Sequence, residues 1–132
     1  MKTKVAMMFG GKSVEHEVSI ISGIQAIMSM DTDKYEVIPV YINKNNQMFI
    51  GEDVGKIESY THIDELMAKS QRVILVNEEN KVSLVPYPQK RFGKKPEIEI
   101  DIAFPIVHGT NVEDGALQGY LKTIGIPFVG CD

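Results

Sequence analysis

Residues 5–9 read Val-Ala-Met-Met-Phe and run directly into Gly10-Gly11. A segment that is apolar at every position, rather than at alternate ones, suits a strand buried on both faces, as in a parallel sheet. The glycines end it. A polar stretch follows, with Ser13, Glu15, His16 and Glu17 ahead of a helical apolar pattern. Hydroxyls and acids suit a helix start, where unpaired N–H groups and the dipole favour them. On that helix Val18, Ile21 and Met28 share one face, with Ile20, Ile24 and Ile27 close beside it, an amphipathic pattern. The helix is predicted to end near Met30, before Asp31-Thr32-Asp33.

The same order of strand, glycine-bounded polar loop and helix returns at the other end of the chain. Residues 100–107 (Ile-Asp-Ile-Ala-Phe-Pro-Ile-Val) read as a strand ending at His108-Gly109, and residues 110–115 form the loop. A helix over 116–124 carries Leu117, Tyr120, Leu121 and Ile124 on one side, and Gly125 closes it as a C-cap. Residues 126–129 form a last short strand. This alternation predicts right-handed βαβ units and an α/β fold with a mostly parallel sheet flanked by helices. Between the two ends, residues 35–42 form a β-branched and aromatic strand. Pro39 makes it an edge strand, or one whose N–H side is unpaired at that point. A turn at Lys44-Asn45-Asn46 leads to a returning strand over 47–50, a short helix is expected over 63–70, strands over 72–76 and 81–86, and a loop over 87–96.

The bulk numbers narrow the function classes. The chain has 132 residues, 43% of them apolar and 24% charged, which is one globular domain rather than a disordered segment. Its net charge is −4. The one basic cluster, Lys90-Arg91 and Lys94-Lys95, is broken by Phe92 and Gly93; it reads as a solvated loop rather than a nucleic-acid surface. A single cysteine, Cys131, excludes an intrachain disulfide. No signal-peptide pattern and no run of membrane-spanning length is found, so a cytoplasmic protein with neither nucleic-acid nor membrane partners is expected.

Ligands of open α/β sheets bind beyond the carboxyl ends of the strands, where both polar loops begin. They are therefore candidates for one small-molecule site; the plainer alternative is a pair of ordinary capped turns. Gly11-Lys12-Ser13 has the tail of a phosphate-binding loop, but the glycine required at position 6 is Ala6, inside the strand. Glu15, His16 and Glu17 do not share a helix face, and no Cys or His cluster accompanies them, which argues against zinc. A carboxylate here suits a substrate ammonium; for Glu17 helix capping is preferred, and for Glu15 the two readings stand close. His108 at the sheet rim suits a carboxylate or a proton transfer, or simply a hydrogen-bonded rim position. Asp114 reads as a helix N-cap and Glu113 as a supporting or solvent-facing acid.

At this point the residues match a known pattern. Phe9-Gly10-Gly11-Lys12-Ser13-Val14-Glu15-His16-Glu17-Val18-Ser19 resembles the opening signature of D-alanine–D-alanine ligases, roughly G-G-x-S-x-E-x-E-V-S. His108-Gly109, then Glu113-Asp114-Gly115 and Gln118-Gly119, resemble the second signature, H-G-x-x-G-E-D-G-x-x-Q-G. The segment from Gly125 through Pro127 and Phe128 to Gly130 continues the likeness. The sequence departs from the second signature at Val112, where the family has glycine, and valine tolerates positive φ poorly. Residues 44–95 carry no signature.

The resemblance implies an ATP-grasp ligase in which residues 1–132 are the N-terminal substrate-binding domain, of Rossmann- or flavodoxin-like type. The central and C-terminal domains that clasp ATP and Mg2+ (or Mn2+) are absent from this chain. It implies phosphorylation of one D-alanine, attack by the amine of a second, and a product used in peptidoglycan synthesis. By matching position, Glu15 is the catalytic and ammonium-binding residue, Val18 and Ser19 line the first D-alanine pocket, His108 sits by that substrate's carboxylate, and Glu113 and Asp114 support them. A homodimer is implied as well. A ligase making D-alanyl-D-serine or D-alanyl-D-lactate, and a stand-alone small-molecule-binding module of the same fold, fit the same residues. A P-loop nucleotide hydrolase fits less well because of Ala6. The chain by itself is expected to be inactive: incubated with D-alanine, ATP and magnesium it should release no phosphate, and measurable release would overturn the assignment of ATP binding to other domains.

Overall fold

A computed structural model describes residues 1–11, 16–88, 97–106 and 120–128. Strand β1 (Thr3–Gly10) is followed by helix α1 (His16–Ser29), strand β2 (Tyr35–Ile42) and the short strand β3 (Met48–Ile50). A 3-10 turn (Ile57–His62), which the apolar pattern does not foreshadow, leads into helix α2 (Ile63–Lys69). Strands β4 (Gln71–Glu78), β5 (Lys81–Pro86), β6 (Ile98–Ile100) and β7 (Ile102–Ile106) follow. Residues 120–124 are helical. Among the described residues no helix is long and apolar enough to cross a membrane.

The strands form one sheet in the order β6-β5-β4-β3-β2-β1-β7. The α/β class stands as expected, but among the named strands of the described residues only β1 with β2 and β1 with β7 pair in parallel, with an isolated parallel bridge between Ala103 and Phe128. The other four pairs are antiparallel, so the sheet is mixed rather than mostly parallel. The reason lies in the connections. A parallel neighbour needs a long crossover, and tight turns join β2 to β3 and β4 to β5 instead; β3 and β4 are antiparallel although the 3-10 turn and α2 lie between them. At Asn43 the side-chain Oδ1 accepts from the backbone N–H groups of Asn45 and Gln47, each at 2.9 Å, and so builds the β2–β3 hairpin. Asn80, with a φ of 66°, turns β4 into β5.

The predicted strand over 100–107 is broken in two at Asp101. Its first part pairs with β5 at one end of the sheet order, and its second with β1 at the other. The sheet therefore curls back on itself. Asp101 fastens the closure: its N–H donates to Lys4 O at 2.9 Å, and its Oδ2 accepts from Lys4 N–H at 2.8 Å.

The core follows the two-residue period of strands. Ala6 and Met8 of β1, Val40 and Ile42 of β2 and Met48 of β3 join Val73, Leu75, Val82, Leu84, Ile100, Ala103, Leu121 and Ile126 on one face of the sheet. The intervening Phe9, Tyr41 and Phe49 meet Ile20, Ile24, Val54 and Leu66 on the other, beneath the helices. The continuous apolar run of β1 is thus buried on both faces, as its pattern predicts. Pro39 is accommodated inside the sheet. The Ile42 carbonyl accepts from Gly11 N–H, so even-numbered positions of β2 face β1 and Pro39 faces the β3 side. There β3 pairs only with Tyr41 and Ile42, and no ladder bond is lost.

Helix α1 presents a different stripe from the one headed by Val18. Val18, Ile21 and Met28 are exposed, whereas His16, Ser19, Ile20, Gly23 and Ile24 are buried. The small residues decide the face, because they let the helix lie close on β1. A Cβ on Gly23 would stand 2.5 Å from the Phe9 Cβ and Cγ atoms. Gly23→Ala should therefore cost roughly 1–3 kcal/mol through overpacking, despite alanine's better helix propensity. Urea unfolding of the variant checks this; a gain in stability would show that α1 can shift off Phe9 at no cost.

Candidate functional site

Strand β1 is the point at which the sheet order reverses. The chain leaves it for β2 on one side, through α1, and returns on the other side as β7. At such a switch point the loops beyond the strand ends diverge and leave a crevice. The register sets Phe9 beside Ile106, so both strands end at the same edge. In the sequence, the two glycine-bounded segments follow these strand ends.

Ser19 joins the two strand ends. Its side chain is completely buried. The hydroxyl accepts from Gly10 N–H at 2.9 Å and donates to the carbonyl of Ile106. One small side chain on the first turns of α1 thereby satisfies a donor at the end of β1 and an acceptor at the end of β7. Gly10 has a φ of +98°, and a Cβ there would lie 2.3 Å from Ile42 O, so both the backbone angle and the space call for glycine.

His16, the first residue of α1, is 3% exposed. Its Nδ1 bonds to Gly11 O, and its Nε2 lies 2.8 Å from the Tyr41 hydroxyl. The two rings meet edge to face at 5.5 Å. Tyr41 stands at the carboxyl end of β2 among Phe9, Phe49 and Tyr60. Burial, and then the negative charge of Asp64, push its phenol up to about 12, so the hydroxyl stays protonated. The Tyr60 phenol is also raised, by burial first and then by Tyr41, while its hydroxyl donates to Val54 O at 2.6 Å. The floor beneath the start of α1 is thus aromatic and neutral, with hydrogen-bonded hydroxyls.

Of the site residues read from the sequence, Val18 is half-exposed on α1 and Ser19 is buried between the strand ends. The resemblance puts Ser19 in the pocket wall; its hydroxyl is spent on two backbone groups. Glu15, His108, Glu113 and Asp114 lie outside the described residues. Glu15 is bonded directly to His16, and His108 follows Ile106 by two positions. His16 entered the sequence reading only as a weak metal candidate, and Tyr41 did not enter it. A polar-tipped aromatic next to the end of a strand was the available signal, but its partner is 25 residues away. Among the described residues no group of three His, Cys, Asp or Glu side chains is arranged to hold a metal ion.

The family model for the D-ala D-ala ligase N-terminus matches residues 4–131. The chain belongs to this D-Ala–D-Ala ligase family. It is 39% identical over 128 residues to a D-alanine–D-alanine ligase of Thermosipho melanesiensis, covering 97% of this chain and 34% of that protein. It is 41% identical over 133 residues to the ligase of Geobacillus kaustophilus, covering 98% of this chain and again 34% of the relative. Solved structures agree with the fold. The VanG D-Ala:D-Ser ligase from Enterococcus faecalis superposes with a TM-score of 0.76 at 29% identity, covering all of this chain and 36% of that one. The ligase from Coxiella burnetii gives 0.74 at 27% identity, covering 99% and 36%. The chain therefore spans about a third of the length of the curated relatives it matches.

Replacing Ser19 by alanine would leave the Gly10 N–H and the Ile106 C=O without their hydroxyl partner in a dry position. A loss of roughly 1–3 kcal/mol is expected from the unpaired groups. Denaturant unfolding of Ser19→Ala measures it, and a variant as stable as its parent would deny the hydroxyl this bridging role.

Proposed function

We propose that this chain is the N-terminal, first-substrate domain of a cytoplasmic, homodimeric ATP-dependent ligase that joins two D-alanines for peptidoglycan synthesis. The observation that carries the proposal is that the ends of β1 and β7, next to which the two signatures stand in the sequence, meet at Ser19 in a chain matching the ligase family over residues 4–131.

ATP supplies a phosphoryl group to the carboxylate of the first D-alanine. The amine of the second D-alanine then forms the new C–N bond at that carbonyl carbon, and phosphate leaves with the former carboxylate oxygen. The groups that bind ATP and Mg2+ or Mn2+ are assigned to the part of the relatives beyond this chain, and no step is given to a metal on the described residues.

The work of this chain is binding and orientation. In the proposal Glu15 receives the ammonium of the first D-alanine by charge-assisted hydrogen bonds. His108, from the neighbouring loop, lies by its carboxylate. Glu113 and Asp114 support that loop, and Val18 offers apolar surface near the methyl group. An acid for the ammonium and an imidazole for the carboxylate, held in place, are what positioning catalysis requires. The likeness to the VanG D-Ala:D-Ser ligase gives a second reading, with D-serine as the second substrate.

In the full-length protein, Glu15→Gln should weaken first-site D-alanine binding by roughly 1.5–3 kcal/mol, the value of a hydrogen bond to a charged group. Initial rates of ATP turnover with D-alanine, and with D-serine or D-lactate as the second substrate, provide the measurement. An unchanged first-site affinity and rate would remove Glu15 from this role. Turnover only with D-serine would favour the second reading.

A further inference from the structure

The buried pair of His16 and Tyr41 has no part in the reading above. Its geometry defines a directed relay. A carbonyl oxygen can only accept, so His16 Nδ1 carries a hydrogen and donates it to Gly11 O. In the neutral ring Nε2 is then bare and accepts from the Tyr41 hydroxyl at 2.8 Å. The raised phenol keeps that hydroxyl a donor. Gly11 is held a second time, since its N–H donates to Ile42 O at 2.7 Å. Ile42 is the neighbour of Tyr41, so the end of β2 grips Gly11 through its amide directly and through its carbonyl by way of the imidazole.

We infer that His16 is a positioning residue for the first-substrate site, acting with Tyr41 to set where the chain leaves β1 and where it enters α1. Gly11 and His16 bound residues 12–15, and Glu15 is covalently attached to His16. Pinning the imidazole at both nitrogens, with its ring packed at 5.5 Å on Tyr41, removes its rotational freedom. In the inference, the residue so held is the one to which Glu15 is directly joined in the sequence. The inference rests on the assignment of Glu15 to the substrate ammonium.

Two measurements test it. In the chain itself, 15N NMR of the His16 imidazole should show the Nδ1–H tautomer, and the Nε2 resonance should shift in Tyr41→Phe. An Nε2–H tautomer, or an imidazole indifferent to the Tyr41 hydroxyl, would overturn the relay whatever the enzyme does. In the full-length protein, Tyr41→Phe and His16→Ala should each raise the first-site KM for D-alanine by roughly 2- to 10-fold, the range of one lost hydrogen bond. The second-site KM and the KM for ATP should stay near the parent values. His16→Asn, whose amide can still donate to Gly11 O, should recover most of the loss relative to His16→Ala. A purely structural role would lower unfolding stability without separating the two D-alanine sites. If the parent turns over D-alanine and Glu15→Gln is impaired while His16→Ala and Tyr41→Phe keep the first-site KM, the positioning role falls and the ligase reading stands. If the parent shows no D-alanine-dependent turnover, the ligase reading falls and the positioning role falls with it, leaving the relay to the NMR result.

Discussion

The hydroxyl of Ser19 is the point on which the arrangement turns. Where β1 and β7 end, a backbone donor at Gly10 and an acceptor at Ile106 both bond to the Ser19 hydroxyl. Unpaired and buried, these groups would cost more than a net hydrogen bond contributes. A single hydroxyl satisfies both because it accepts and donates at once. It can reach them because α1 lies low on the sheet, and α1 lies low because Gly23 offers no Cβ to Phe9. Helix packing, strand ends and loop origins are thus one constraint.

A second layer of hydrogen bonds surrounds that junction. His16 and Tyr41 fasten the exit from β1 to the end of β2, much as Ser19 fastens it to the end of β7. The central strand is therefore tied to both neighbours just beyond its last ladder pairs, at the edge where an α/β sheet binds its ligand. In the proposed reading, in which the site holds an ammonium and a carboxylate, such ties are of use, since small displacements of positioning groups are costly to rate. The rest of the sheet serves the same end from further away. Its antiparallel half curls round until Asp101 clasps Lys4 at the start of β1.

Part of this arrangement is legible in the amino-acid sequence. The unbroken apolar run of residues 5–9 reported a strand covered on both faces, because only such a strand needs no polar side. The alternation of strand, glycine loop and helix at both ends identified the α/β class, and the spaced Gly, Ser, Glu and His residues of the two loops pointed to the ligase family. These features are legible because they are local: a period, a cap or a motif is written in adjacent residues. Gly125, at a φ of +89° closing the helix of residues 120–124, is another instance.

What the tertiary structure alone decided depends on partners far apart in the chain. Two apolar stripes compete on α1, and periodicity cannot rank them; contact between Gly23 and Phe9 does. The antiparallel direction of β4 beside β3 is not set by a turn, since a helical segment joins them, and the break at Asp101 follows from pairing with Lys4, 97 residues away. Ser19 reads in sequence as one position of a motif, and only the meeting of β1 with β7 reveals what its hydroxyl holds. His16 and Tyr41 are 25 residues apart with no pattern linking them, and it is the parallel register of β1 with β2 that brings them within a hydrogen bond.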